Sequence, residues 1–516
     1  MIMNMPTIKD SSSIEEVLQY IVACYGAEIY QEKQRLSNLI ADLYTGEERL
    51  KRLYRRMVME DAVSQQLYAI SLKPIQEREG FYNRLVYQFK EANFYEEAFA
   101  RQVLDVFLHG MNLLLVEPIS TIATEEDGEW YDEYGVKYSA DRKKLIHVPS
   151  YYQCSYYSVL DGTVVICDDA FEWCENLQEI ILPSSITSIG DYAFSGCENL
   201  REIILPSSIT SIGDYAFSGC ENLREIILPS SITSIGDYAF SGCENLREIN
   251  IPSSVTSIGN STFCGCLNLR KIALPPSITS IRDHAFSDCR NLQEIKLPPS
   301  VTNIGDRVFS KCWNLREINI PSSVTSIGVG VFEWCSNLQE ITLPSGVTGI
   351  GDNAFSSCEN LREINVTESN KIYRSINGVL YTKDLKTIIR YPVGKEDEKF
   401  VIPCSVTSIG DYAFWCCSNL REITLPSSVT NIGDLAFAGC GSLQEINIPP
   451  CVTSIGDYAF GGCKNLREIT LPSNITSIGA NVFLACGNLQ RINIPIGTLE
   501  RFKGLFPWEA NKFHEV

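Results

Sequence analysis

Cysteine is the most regularly placed residue in this chain with a side chain capable of chemistry. Thirteen of the 20 cysteines recur every 23 residues within two runs, and they are Cys174, Cys197, Cys220, Cys243, Cys266, Cys289, Cys312, Cys335, Cys358, and then Cys417, Cys440, Cys463 and Cys486. Thiols can form disulfides, bind zinc or pack as small apolar groups. Because these cysteines occupy the same place in every unit, we expect one interior column of reduced, structural thiols.

Two pairs of cysteines lie closer together, and each raises the question of a metal site. Cys264 and Cys266 are one residue apart, and Cys416 and Cys417 are adjacent. Neither pair has the C-x-x-C spacing of a tetrahedral zinc site. The acidic segment Thr124–Tyr134 lacks the alternating Asp/Asn and Gly of a calcium loop. We therefore expect no metal.

The residues that most often carry catalysis are scattered. The four histidines, His109, His147, His284 and His514, each stand alone in a different segment. The sequence contains no phosphate-binding loop, nucleophile elbow or zinc-binding helix motif. The glutamates that follow Leu-Arg repeat beside arginines, as expected of a solvated surface. We expect no enzymatic activity and no cofactor, and the alternative places an activity in the N-terminal helical region.

The regularly spaced cysteine is one position of a longer repeat, whose sequence is L-P-S-S-[IV]-T-S-I-G-D-Y-A-F-S-G-C-E-N-L-R-E-I. A fixed period of this length is typical of a solenoid, in which each unit stacks on its neighbours. In Arg201–Leu223, a β-branched run predicts a strand that ends at Pro206. Ile209–Ile212 predicts a second extended stretch. A Gly-Asp turn then leads to Ala216–Leu223, which is compact enough for one helical turn.

Two small features of the unit have structural explanations. Asparagine precedes the last leucine in nearly every unit, as at Asn199 and Asn222, and a stacked amide is expected to bond backbone groups. Arg282 and Cys167 replace the glycine of the I-G-D turn, so a left-handed backbone there is not obligatory.

The pattern L-x-x-I-x-[LI]-P joined to V-T-S-I-G-x-x-A-F-x-x-C-x-N-L resembles the BspA-type leucine-rich repeat family of bacteria and some protists. The resemblance covers roughly residues 130–516. It implies a leucine-rich-repeat-like solenoid with a strand-lined face and no catalytic residues. It also implies a role in binding proteins or cell surfaces, as in adhesin-like members.

The fold class predicted is α+β multidomain: a small all-helical N-terminal domain, then a solenoid with one short strand face and turns or short helices in each repeat. Parts of the helical region, Tyr25–Ile29 and Leu36–Leu43, resemble helical accessory modules of some Firmicutes proteins. The segments Gly135–Pro149 and Gly378–Pro392 align without a gap and each predicts a hairpin. The predicted divisions are a helical domain (1–115), an acidic linker (116–134), an N-terminal hairpin cap (135–171), repeats (172–366), a hairpin insertion (367–403), repeats (404–494) and a C-terminal cap (495–516).

Composition limits the partners and the location. The net charge of −20 argues against binding nucleic acid or anionic membranes. No run of about 20 apolar residues predicts a membrane span. Met1–Asp10 lacks a charged and then apolar leader, so we expect a cytoplasmic protein with reduced thiols. The alternative is a protein that reaches the cell surface or is secreted by a non-standard route.

Two rows of side chains are the candidate contacts for a partner. Ile181, Ile204 and Ile227 occupy an outward strand position that elsewhere is mostly polar. Tyr192, Tyr215 and Tyr238 form a second row on the turn edge. The alternatives are that the isoleucines were merely copied by duplication, and that the tyrosines only cover the turn.

Together these features predict a non-enzymatic protein-binding scaffold whose partner the sequence does not name. The alternative function is a surface adhesin or structural protein. The oligomeric state is left open.

Overall fold

The computed structural model describes residues 27–43, 48–59, 63–73, 129–132, 134–149, 155–505 and 507–516, with ten further residues between 17 and 107. The chain divides into two compact units. One comprises Met1–Thr124 with Asp132–Gly135, and the other comprises Glu125–Tyr131 with Val136–Val516.

The N-terminal unit is helical in its described part. A 3-10 turn at Ala27–Gln31 precedes the helices α1 (Lys33–Leu43), α2 (Glu48–Met59) and α3 (Val63–Ser71). Their apolar side chains share one core, in which the Tyr30 hydroxyl donates to the backbone oxygen of Phe107 over 3.2 Å. In the sequence, Ser13 followed by Glu16 predicts a capping box, and apolar spacing predicts helices near 76–92 and 94–113. Ser13 and most of these helical stretches lie outside the described residues.

The second unit is a β-solenoid in which each repeat contributes two parallel strands. We call them the front strand, which is mostly three residues long, and the back strand, which has two. In Glu202–Ile204 the side chain of Ile203 is buried and those of its neighbours are exposed, as alternation along a strand requires. Pro206 then ends the strand because it lacks an N–H donor. Since the front and back strands stack separately, the solenoid has two strand faces rather than the one predicted.

The front strands stack in parallel register, with Ile226 opposite Ile203. They are Tyr156–Ser158, Glu179–Ile181, Glu202–Ile204, Glu225–Ile227, Glu248–Asn250, Lys271–Ala273, Glu294–Lys296, Glu317–Asn319, Glu340–Leu343, Glu363–Val366, Lys399–Val401, Glu422–Thr424, Glu445–Ile446, Glu468–Thr470 and Arg491–Ile494.

The back strands stack in the same way, with Ile235 opposite Ile212. They are Val165–Ile166, Ser188–Ile189, Ser211–Ile212, Ser234–Ile235, Ser257–Ile258, Ser280–Ile281, Asn303–Ile304, Ser326–Ile327, Gly349–Ile350, Ser408–Ile409, Asn431–Ile432, Ser454–Ile455 and Ser477–Ile478.

Equivalent side chains stack on one another through the core. Nine phenylalanine rings from Phe171 to Phe355 lie nearly parallel, with neighbouring centroids 4.9 to 5.9 Å apart. Each ring is buried, so each repeat removes the apolar faces of the next from water. The predicted asparagine bonding is also present, since the Asn222 amide donates to the Glu198 backbone oxygen over 3.0 Å.

The cysteine column is interior, and its thiols have a specific partner. Cys220 is fully buried, and its Sγ donates to the backbone oxygen of Phe194 in the preceding repeat over 3.2 Å. The same bond recurs along both runs, at 3.2 Å from Cys243 and 3.1 Å from Cys440. All cysteines in the described part of the chain are free thiols.

The helical turn predicted at Ala216–Leu223 is absent, and this segment is a series of turns. The reason lies in two residues of each repeat that adopt the left-handed backbone region. In this repeat they are Tyr215, with φ 55°, and Gly219, with φ 71°. Left-handed residues at these two places interrupt a right-handed helix.

Two hairpins built alike stand before the two runs of back strands. One pairs Lys137–Ser139 with Lys144–His147, and the other pairs Val379–Thr382 with Thr387–Arg390. Each has the same register shift and the same turn, in which an aspartate accepts from a hydroxyl and from a backbone N–H. Two further antiparallel strands, Glu129–Tyr131 and Tyr373–Ile376, extend them.

The second hairpin joins the two runs of repeats through Arg390. Its guanidinium is buried and donates to the backbone oxygens of Tyr412 over 2.5 Å and Phe355 over 3.3 Å. Phe355 belongs to the last repeat before the insertion, so the thiol of a following repeat does not reach its carbonyl. Arg390 takes the place of that thiol donor.

The far end of the solenoid carries a short closing structure. Helix α4 (Leu499–Leu505) and a 3-10 turn (Pro507–Lys512) lead to the strand Phe513–Glu515. That strand pairs in parallel with Arg491–Ile494, the last front strand, and Phe502 is buried against the core. The pairing satisfies an edge that would otherwise present open backbone groups.

Candidate functional site

The isoleucine row lies on the front strands with its side chains in solvent. Ile181, Ile204 and Ile227 are 42%, 84% and 72% exposed. Ile204 and Ile227 pair directly in register, so their side chains are neighbours on the sheet surface. The parallel ladder therefore places three large apolar side chains side by side on the outer face.

Charged side chains border this row. Glu202 and Glu225 stand two residues before the isoleucines on the same strand face, and they too are neighbours in register. Arg201 and Arg224, which precede the strands, are exposed. The surface thus has an apolar stripe with carboxylates along one side.

The tyrosine row is a stack of parallel rings. The ring centroid of Tyr215 lies 4.6 Å from that of Tyr192 and 4.4 Å from that of Tyr238, with the rings within 5° of parallel. The pKa of Tyr215 is raised, chiefly because its surroundings partly desolvate it and also because the two neighbouring phenols are close. Stacking covers the ring faces between the three residues, so their edges and hydroxyls are what a ligand meets.

The two rows belong to different parts of each repeat. The isoleucines lie on front strands, whereas each tyrosine follows a back strand at a left-handed residue. The side chains of both rows are partly or largely exposed, and the members of each row lie next to one another. It does not join the two rows into one cluster.

A groove beside the back strands was not anticipated from the sequence. It has a volume of about 630 Å³ and is lined by serines, by glycines such as Gly213, and by Asp168, Asp191 and Asp214. The aspartates form a ladder in which Oδ1 of Asp191 accepts from the N–H of Asp214 over 2.7 Å. The repeated I-G-D triplet could have predicted this groove, because a glycine at the same place in each repeat leaves a continuous channel along the stack.

The same glycines allow the ladder to form. A Cβ on Gly213 would lie 2.5 Å from Oδ1 of Asp191 and 2.5 Å from the carbonyl carbon of Gly190. The requirement is close approach rather than a left-handed backbone, in agreement with the sequence interpretation. Arg282 occupies the same place above Asn260, whose amide donates to Asp237 over 2.7 Å.

Most thiols of the column are poorly suited to chemistry. Burial raises the pKa of Cys174 to about 12 and holds the pKa of Cys220 well above 9.0. Thiolate is the reactive form, so these two groups are unreactive in the folded chain. Cys486, at the far end of the column, differs because a hydrogen bond with Cys463 lowers its pKa. Cys404 and Cys451 are exposed. The described residues include no group of three or more His, Cys, Asp or Glu placed to hold a metal ion.

Helices in the described ranges are all too short or too polar to cross a membrane.

Several solved structures are similar to this chain. A leucine-rich repeat protein from Bacteroides ovatus is 30% identical over 76% of this chain and 98% of its own, with a TM-score of 0.55. A leucine-rich cell surface protein from Faecalibacterium prausnitzii is 28% identical, covering 73% of this chain and 89% of its own, with a TM-score of 0.41. The pneumococcal vaccine antigen PcpA is 22% identical over 73% of this chain and 82% of its own, with a TM-score of 0.42. No match was found among curated proteins.

The repeats themselves match one family description. The model of the BspA type leucine rich repeat region matches residues 164–286, 256–377 and 395–505. These ranges contain the stacked phenylalanines, the cysteine column and both strands of the repeat. The chain therefore belongs to the BspA-type leucine-rich repeat family.

Proposed function

We propose that this protein is a non-enzymatic scaffold that binds another protein through the surface of its repeats. The supporting observation is the isoleucine row, in which Ile204 is 84% exposed although its column holds Thr342, Thr424 and Thr470 in other repeats. A partner that covers the row would remove apolar surface from water. The family is one of repeat scaffolds, which agrees with binding rather than catalysis.

The row is the right size for the centre of an interface. Full burial of one isoleucine side chain contributes about 1.5–3 kcal/mol. A specific interface buries about 800 Å² on each partner, which is more than three isoleucines supply. The bordering glutamates and arginines would then form the polar rim.

The tyrosine stack supplies a second contact of a different kind. Because Tyr192, Tyr215 and Tyr238 cover one another's faces, they offer edges and hydroxyls rather than a platform for a flat ligand. Protein surfaces rich in tyrosine use this combination of apolar ring and polar tip. We expect the stack to accept and donate hydrogen bonds at the edge of the same partner or of another one.

A capture experiment with the full-length chain tests the proposal. The triple variant Ile181→Thr, Ile204→Thr and Ile227→Thr keeps β-branching in an exposed strand and should preserve the fold. Mass spectrometry should identify a partner that the wild type captures from its native extract and that the triple variant does not. The thermal unfolding midpoint of the variant should equal that of the wild type.

A matched control uses the same column of the front strands at polar positions. Asn319→Ala with Thr342→Ala and Thr424→Ala should leave capture intact. If the isoleucine variant also captures the partner normally, duplication of identical repeats is a sufficient explanation for the row and the docking role is withdrawn.

The second candidate is a surface adhesin, for which the same repetitive surface would serve. The predicted location is the cytoplasm, and the two candidates differ in where the protein is found and in its thiols. Cell fractionation followed by alkylation of free thiols separates them. A protein found chiefly outside the cell with Cys404 and Cys451 oxidised would support the adhesin.

A further inference from the structure

Because the repeats are so alike, the residues at equivalent positions can be compared directly. Three successive repeats, those of Cys289, Cys312 and Cys335, differ from the others at the positions beside the column cysteine. The residues on either side of the column cysteine are Gly and Glu in three successive repeats, as in Gly219 and Glu221. Around Cys289 and Cys312 both positions instead hold charged or aromatic residues, and Trp334 precedes Cys335. We name the substituted surface the Trp313 patch. Its members are Arg290, Lys311, Trp313 and Trp334, together with Arg307, which pairs with Glu333 beside Trp334.

The fold does not require these side chains. The residue before the cysteine is left-handed in every repeat, with φ 71° at Gly219, 60° at Lys311 and 63° at Trp334. A left-handed backbone disfavours residues with a Cβ by roughly 1–2 kcal/mol. Lys311 and Trp334 are thus placed where glycine is the better choice for folding, although other repeats also hold a residue with a Cβ here, at Trp173, Asp288, Ser357, Cys416 and Ala485.

The patch presents aromatic and cationic groups to solvent. Trp313 and Trp334 are 42% and 44% exposed. The Arg290 guanidinium lies over the Trp313 ring at 4.5 Å while it also pairs with Asp288 at 2.9 Å. This geometry holds the ring and the guanidinium in one orientation.

The carboxylates near the patch are mostly engaged. Glu333 pairs with Arg307 at 3.7 Å, and the carboxylates of Asp283 and Asp306 each accept a backbone N–H over 2.8 Å or less. The described residues show no ion pair for Lys311, which is exposed. Its backbone N–H donates to the backbone oxygen of Glu333, next to Trp334, over 2.7 Å. One cation without a fixed counter-charge therefore lies against the segment that carries Trp334.

The segment that carries most of the patch is basic within an acidic protein. Residues 267–317 contain eight Lys or Arg against five Asp or Glu, whereas residues 178–248 contain three against ten. The screening length in physiological salt is about 8 Å, so a ligand at the patch experiences mainly the local charge. Tryptophan and arginine are also the residues that most often dominate protein interfaces.

We infer that the Trp313 patch binds an acidic segment of a partner protein that also carries an apolar side chain. The cations would attract the carboxylates, and the tryptophans would cover the apolar group. The inference rests on the proposed scaffold function and adds the chemistry of a partner and a site distinct from the isoleucine row.

The test uses the full-length chain and a fluorescein-labelled peptide of alternating glutamate and leucine. The double variant Lys311→Gly with Trp313→Glu restores the common Gly-Cys-Glu sequence in this repeat. We expect fluorescence anisotropy to show binding to wild type that weakens with salt, and about tenfold weaker binding to the variant. A peptide with glutamine in place of glutamate should bind poorly.

Trp173→Gly is the matched control, because it makes the same backbone change and also yields Gly-Cys-Glu but lies outside the patch. It should bind the acidic peptide as wild type does. Both variants should unfold at or above the wild-type temperature, since each relieves a left-handed residue with a Cβ. Equal binding by the double variant, or no salt-sensitive binding by wild type, overturns the inference.

The isoleucine triple variant separates this inference from the scaffold function. It should still bind the acidic peptide, because its patch is unchanged. If the peptide fails to bind wild type while partner capture still depends on the isoleucines, the acidic-segment inference alone is wrong. If the peptide binds but no capture depends on either surface, the scaffold proposal fails instead.

Discussion

The thiol of Cys220 donates to the backbone oxygen of Phe194, which lies 26 residues earlier and one repeat below. The same oxygen also accepts the N–H of Cys197 over 3.2 Å. Within each run, the phenylalanine carbonyls before the last repeat are thus held from their own repeat and from the next. A cysteine in this place is both a small core group and a hydrogen-bond donor between repeats.

Substitutions at Cys220 should therefore be graded. Cys220→Ala leaves a small cavity and should lower stability by about 1–2 kcal/mol. Cys220→Asp should be far worse, because it buries a charge without a partner. Thermal unfolding followed by circular dichroism measures both. An unchanged midpoint for Cys220→Asp would mean that the column does not face the core.

Stability should fall in alkali through the same column. The thiol pKa is raised by burial in the folded chain, to about 12 at Cys358 and well above 9.0 at Cys220. Above about pH 9 the unfolded chain releases protons that the folded chain keeps, so stability present below that pH is lost as pH rises. Each such thiol contributes a slope of up to about 1.4 kcal/mol per pH unit.

The slope can be assigned to thiols by comparing variants. Urea unfolding of wild type and of Cys197→Ala, Cys220→Ala and Cys243→Ala combined, each at about pH 8 and about pH 10, should show a smaller loss in the variant. Tyrosines and lysines also ionise in this range, but they are the same in both proteins. Equal losses would assign the alkaline instability to those groups.

Arg390 should couple the two runs of repeats. Its donors reach Phe355 on one side and Tyr412 on the other, and burial lowers the pKa of its guanidinium. Arg390→Met should leave a buried carbonyl without a donor, at a cost of about 1–3 kcal/mol. Calorimetry should then resolve two unfolding transitions, one for each run. His147→Met, at the equivalent and exposed place of the first hairpin, should change nothing.

Gly213→Ala should be strongly destabilising although its backbone is not left-handed. The new methyl group would lie 2.5 Å from Oδ1 of Asp191 and 2.5 Å from the carbonyl carbon of Gly190 in the preceding repeat. It would therefore disrupt the aspartate ladder. Arg282→Gly, at the same place above Asn260, should unfold within a degree or two of wild type. Similar midpoints for both variants would contradict the close-approach explanation.

The period and the apolar pattern were enough to predict the stacked repeats, because a strand of alternating burial must place Ile203 inward and Ile204 outward. The interior position of the cysteine column also followed from the repeated placement of Cys220. The prediction of a helical turn after Ala216 was wrong, since apolar spacing does not reveal that Tyr215 adopts a left-handed backbone.

Interactions between repeats were harder to predict than those within one. The aspartate ladder joins Asp191 to a backbone N–H that is 23 residues away in sequence but adjacent in space. Local propensity cannot report such a bond. The role of Arg390 was hidden for the same reason, because it replaces a donor that the interrupted repeat lacks. The isoleucine and tyrosine rows remain predictions as binding residues.

Residues 201–223 and 224–246 are identical, and 178–200 differs from them only at Gln178. Because each repeat contacts its neighbours through the same side chains, removing or adding one such copy recreates joins that already exist in the molecule. The chain can thus gain or lose one whole copy without a folding penalty at the junction. Length becomes a heritable variable, and each step lengthens or shortens the isoleucine and tyrosine rows by one residue.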